Sequence, residues 1–105
     1  MLQVCPTDVV HAPAERIWRL VTTPTELARW TDTTLIESPD RALGAGDGLV
    51  VGAGPGHVMR LIFRVIDAVP PHRLALHIRL PLGVTNDEVI EIAAIGPAAS
   101  RVTFN

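Results

Sequence analysis

The apolar positions of this chain change their spacing at Pro13 and change it back near Thr33. Before Pro13, Val4, Val9 and Val10 stand among polar residues over Leu2 to His11, which predicts a strand. After it, Ile17, Trp18, Leu20 and Val21 follow at helical spacing. Pro13 suits a first helical turn, and Glu15 puts negative charge near the helix N-terminus. Thr22 and Thr23 close this helix. Thr23-Pro24-Thr25-Glu26 then offers an N-cap threonine, a proline at N1 and a glutamate at N3, the pattern of a capping box, so a second helix starts at once. Leu27 and Trp30 mark its apolar side and lay it against the same surface as the first helix.

Beyond Thr33 short apolar runs alternate with turn residues, as in an antiparallel meander. Strands are expected at Thr34 to Ser38, Gly48 to Ala53, His57 to Asp67, Arg73 to Leu80, Glu88 to Ile95 and Arg101 to Asn105. The turns between them have chemical causes in Ser38-Pro39-Asp40, Gly44 to Gly48, Gly54-Pro55-Gly56, Pro70-Pro71, Leu82 to Asn86 and Gly96-Pro97. Alternation assigns the faces. His57, Met59, Leu61, Phe63 and Val65 share one side with Leu74, Leu76, Ile78 and Leu80 of the next strand, while Arg60, Arg64, Arg73, His77 and Arg79 take the other. Asp87 and Glu91 share a parity that sets them opposite Arg79 and His77 on the solvated side. The expected fold class is α+β, a curved antiparallel sheet of about seven strands with two short helices after strand 1.

Composition narrows the function classes. The 105 residues suit one domain, residues 1–105; at 48% apolar and 19% charged the chain has enough to bury and too little charge for disorder. A net charge of -2 leaves no excess of cations for a phosphate backbone, so no nucleic-acid partner is expected. No apolar run reaches the length of a membrane span, and Met1 to Val10 lacks the form of a signal peptide. With one cysteine, Cys5, read as a buried filler, a reducing compartment is the expectation and the cytoplasm its default. The absence of Tyr removes a common pocket acid.

Four segments in order carry a family resemblance. His11-Ala12-Pro13-Ala14-Glu15-Arg16-Ile17-Trp18, Pro24-Thr25-Glu26-Leu27-Ala28-Arg29-Trp30, Leu43-Gly44-Ala45-Gly46-Asp47 and Val65-Ile66-Asp67-Ala68-Val69-Pro70-Pro71-His72-Arg73-Leu74 resemble the strand-to-helix entry, second helix, glycine turn and proline-marked hairpin of the START and pollen-allergen-like superfamily, SRPBCC. The resemblance implies a helix-grip fold whose sheet cups an apolar ligand. It also implies a long C-terminal helix that this sequence, stopping at Asn105, does not carry. Burial of several hundred Å² at roughly 25 cal/mol per Å² involves on the order of 10 kcal/mol. A homodimer covering the open apolar face is therefore the expectation if the chain is complete.

The candidate ligand-binding residues are Met59, Leu61, Phe63, Leu76, Ile78, Ile90 and Ile92 along the inner face, with Trp18 and Trp30 at the rim. Ordinary core is the plainer account of any one of them. The leading function is binding of a small hydrophobic molecule, such as a lipid, polyketide or aromatic metabolite, without covalent chemistry. The resemblance implies two alternatives, a polyketide cyclase or aromatase and a protein-binding co-chaperone. Cyclisation needs an acid or base inside the pocket, and the inner face offers only His57 and Glu88 at strand ends, so no catalytic residue is assigned. The histidines at positions 11, 57, 72 and 77 lack metal-ligand spacing, and the glycines from Gly44 to Gly56 lack the ending of a phosphate loop. No metal and no cofactor is expected.

Overall fold

The computed structural model describes residues 7–104. Cys5 and the first part of the expected N-terminal strand lie outside them. The described elements are β1 (Thr7–Val10), α1 (Ala14–Thr22), α2 (Pro24–Trp30), β2 (Thr34–Glu37), β3 (Gly48–Ala53), β4 (Met59–Val69), β5 (Arg73–Arg79), β6 (Thr85–Gly96) and β7 (Ala99–Phe104). Short 3-10 turns at Pro55–His57 and Pro81–Gly83 join β3 to β4 and β5 to β6.

All seven strands form one antiparallel sheet in the order β1-β7-β6-β5-β4-β3-β2. The sheet curls. β2 and β7 stand five places apart, yet α2 packs beside β2 while Trp30 at its end meets Phe104 on β7, ring centroids 6.0 Å apart. The helix pair therefore spans the open side of a sheet that does not close into a barrel. This is the α+β, helix-grip architecture expected from the sequence. No helix among the described residues is long and apolar enough to cross a membrane.

The inner face is the alternating one. Phe63, Val65, Leu74, Leu76, Ile78, Ile90, Ile92 and Val102 are buried, together with Ile17, Val21 and Leu27 from the helices. The register explains the match. Phe63 pairs with Ile78, Val65 with Leu76 and Leu74 with Ile90, so each strand presents the same parity inward. A bulge at Val65/Asp67 shifts that parity: Ile66 has no register partner and is exposed, and Ala68 comes opposite Leu74.

Several local expectations are corrected. Pro13 is the N-cap of α1, with Ala14 as the first helical residue. Thr23 caps α2 without a side-chain hydrogen bond, so the capping box is not formed; its carbonyl takes the Leu27 N–H at 2.8 Å. β4 starts at Met59, because His57 sits in the preceding turn at φ 53 and points away from the sheet's inner row. β6 begins three residues early, at Thr85, since the turn ends at Gly83. Arg79 faces Thr85 and Glu91 faces Arg73, while His77 meets Asp87 as expected, Nδ1 to Oδ1 2.6 Å.

The loop between β2 and β3 adds a core residue with no strand or helix around it. Leu43 is buried, its N–H donating to the Thr22 carbonyl at the end of α1. Asp47 holds this loop in shape by accepting from Arg41 Nη1 and Nη2, at 2.5 and 2.8 Å, and from the Gly44 N–H at 2.7 Å. The Gly46 N–H then reaches the Val65 carbonyl, and the Val65 N–H reaches the Asp47 carbonyl, both at 2.8 Å. The buried hydroxyls also have partners. Thr22 bonds the Trp18 carbonyl and Ser100 the Ala12 carbonyl, at 2.7 and 2.9 Å. No buried side-chain polar atom among the described residues lacks a partner.

Candidate functional site

The sequence singled out an inner row, and the structure distributes that row unevenly. Phe63, Leu76, Ile78, Ile90 and Ile92 lie in the packed core. Leu61 and Trp18 are half-buried against it. Met59 is 40% exposed at the end of β4, and Trp30 is 46% exposed at the end of α2. Trp30 lines a groove beside the β1–β7 edge, and Met59 is not among that groove's lining residues.

That groove, about 260 Å³, runs between the helix pair and the β1–β7 edge. Val10, Ile17, Val21 and Val102 make its floor, and Leu20, Trp30 and Phe104 its walls. Each is placed by an element period. Ile17, Leu20 and Val21 follow at the i, i+3, i+4 spacing of α1, and Val102 and Phe104 alternate on β7. Trp30 and Phe104 meet at an interplanar angle of 51°, a tilted aromatic pair in which Trp30 is exposed and Phe104 half-buried. Asp8, Glu26 and Arg29 ring the mouth, with Glu26 Oε1 3.8 Å from Arg29 Nη1.

The groove's chemistry is that of shape and apolar area. Its titratable groups are confined to the mouth, and its floor carries none. His57 and Glu88, the two titratable groups expected at the ends of the inner face, do not meet. His57 Nδ1 lies 2.6 Å from the hydroxyl of Thr34 on β2, whereas Glu88, on β6, pairs with Leu76 on β5. Among the described residues no three His, Cys, Asp or Glu side chains gather as metal ligands.

The sequence reading did not find Leu20, Val10, Val102 or Phe104 as lining residues. Their groove is made where the first strand, the last strand and the helix pair come together. The only advance signal was that Leu20 and Phe104 are large apolar residues close to element ends.

Comparisons place this architecture among known proteins. The family model described as Activator of Hsp90 ATPase homolog 1-like protein matches residues 11–105. A comparison with curated proteins gives no match. Among solved structures, DynU16, described as a putative protein in the dynemicin biosynthetic locus, superposes with TM-score 0.74 at 22% identity over 96% of this chain and 35% of its own. PFC0360w, described as an HSP90 activator from Plasmodium falciparum, gives TM-score 0.74 at 12% identity over 96% of this chain and 69% of its own. The solution structure of the Aha1 dimer from Colwellia psychrerythraea gives 0.76 at 15% identity over 99% and 74%. At these identities the likeness is one of fold, and the chain spans about a third of DynU16. A family model covering nearly the whole chain, a curled sheet bridged by two helices, and these neighbours agree: the chain belongs to the Activator of Hsp90 ATPase homolog 1-like family, within the START-like SRPBCC superfamily.

Proposed function

We propose that this chain binds a small hydrophobic molecule in the groove between the helix pair and the β1–β7 edge. The observation that carries the reading is the Trp30–Phe104 wall: two aromatic rings and Leu20 remain accessible around an apolar floor. A volume of about 260 Å³ suits a flat aromatic or a short apolar chain. The core row of Phe63, Leu76, Ile78, Ile90 and Ile92 belongs to the same buried cluster as the floor residues Ile17, Val21 and Val102, and Trp18 and Leu61 pack against that cluster. Binding without chemistry is favoured over the aromatase or cyclase reading, because the acids at the mouth are in water and nothing on the floor can move a proton. The family match favours a second reading, stimulation of an Hsp90-type ATPase, and an ATPase assay with added chain tests it.

The ligand reading is tested by tryptophan fluorescence and thermal shift against aromatic polyketides, fatty acids and sterols. Binding should perturb Trp30 emission and raise the melting temperature. Trp30→Ala should weaken it about ten-fold, while Trp30→Phe, which keeps an aromatic wall, should retain most of it. Ligand binding with unchanged affinity in Trp30→Ala would place the site elsewhere and overturn the assignment.

A further inference from the structure

Apolar side chains collect at a second place, the end of the sheet where the β3–β4 and β5–β6 connections sit side by side. Leu82 is fully exposed, Val58 is 81% exposed and Val84 is 55% exposed. Leu82 occupies the apex of its turn at φ 65, a left-handed conformation that is costly for leucine and easy for Asn or Gly. The turn itself thus gives no reason for a leucine there. The Leu80 N–H closes the hairpin on the Val84 carbonyl at 2.7 Å, and the Pro81–Gly83 turn packs beside β4.

Two cations flank this apolar tip. Arg79 pairs with Ile62 on the solvated face, and Arg60 lies two residues along the same strand face. With Ile62, Pro81 and Val84 they line a notch of about 280 Å³. Neither arginine forms an ion pair among the described residues. Residues 54–62 and 78–86 contain no Asp or Glu. The first acids along β6 are Asp87, held by His77, and Glu88, which faces the other side of the sheet.

A protruding apex of leucine and valine, backed by unpaired arginines, has the composition of an interfacial anchor for an anionic surface. A protein partner would have to offer a cleft to an apex whose apolar side chains point outward from two separate turns. A bilayer asks for no such fit. We propose that this end of the sheet docks on an anionic lipid surface. Leu82, Val58 and Val84 enter the headgroup boundary, and Arg60 and Arg79 meet lipid phosphates at the notch.

Co-sedimentation with vesicles of phosphatidylcholine alone and of phosphatidylcholine mixed with phosphatidylserine tests this, at low and high salt. The chain should sediment with the mixed vesicles, weakly with the neutral ones, and less as salt rises. Leu82→Asn should weaken binding about ten-fold by removing the deepest apolar group. Its melting temperature should hold or rise, since Asn tolerates the left-handed turn, so lost binding cannot be blamed on misfolding. Arg60→Gln and Arg79→Gln should each weaken binding to mixed vesicles roughly five-fold and flatten the salt dependence. Failure of the native chain to sediment with mixed vesicles would overturn the proposal, as would sedimentation that Leu82→Asn leaves unchanged.

Discussion

Asp47 shows how one side chain sets the shape of a loop. Two hydrogen bonds from Arg41 hold its carboxylate charged, the Gly44 N–H adds a third, and together they lower its pKa from the ordinary 3.8 to about 2. A group whose pKa is lower folded than unfolded stabilises the fold above its ordinary value and loses that contribution as pH falls toward the folded one. The expected window is therefore between about pH 4 and pH 2. Urea titrations across that window should show the native chain losing stability more steeply than Asp47→Asn. The variant should be weaker at neutral pH, and equal slopes would show that the carboxylate does not couple to folding. What it secures is Leu43, a core residue that no pattern around it announces, because it sits between turn residues in a loop without a period. By contrast Leu74, Leu76 and Ile78 were legible, since alternation along a strand depends only on the chain itself. Thr22 and Ser100 were not. Their burial rests on acceptors at Trp18 and Ala12, and in the case of Ser100 that acceptor is 88 residues away in sequence.

At the scale of elements, the meander was readable in order and the errors fell at its turns. The β3–β4 connection is the clearest example. His57 reads as a strand residue by parity, but a left-handed turn at Gly54, Gly56 and His57 folds the chain back so tightly that the His57 carbonyl lies over Gly52. A Cβ on Gly52 would stand 2.3 Å from that carbonyl oxygen, and 3.3 Å from its carbon. The obstacle is backbone and not a flexible side-chain end, so it has little room to give. Gly52→Ala should destabilise the chain by about 1–3 kcal/mol through overpacking, with loss of the β3–β4 hairpin's amide protection in hydrogen exchange. A change of a few tenths would mean that the turn opens freely. The same geometry takes His57 off the inner face where parity had set it: a residue given up to a turn no longer shares the sheet's inner row. The helix pair behaved differently. Its start and stop residues were visible, yet Trp30, three positions from buried Leu27, turns out to the groove because the helix ends there.

Across the whole molecule, curling the sheet separates two accessible apolar regions that a linear reading cannot tell apart from core. One forms where the helix pair bridges to β7, the other where two connections protrude beyond β4 and β5. Phe104 stands opposite Ile90, five residues up β6 from Thr85, which puts the groove roughly 17 Å from the Leu82 turn at about 3.4 Å per residue. No residue is shared between the linings of the groove and the notch. Substitutions at that separation without common partners act independently. Trp30→Ala should therefore leave vesicle binding unchanged, Leu82→Asn should leave ligand-induced stabilisation unchanged, and the double variant should show the sum of the two free-energy effects. A coupling energy well beyond about 0.5 kcal/mol between them would mean that ligand and membrane engage one surface, with the sheet transmitting the difference from one end to the other.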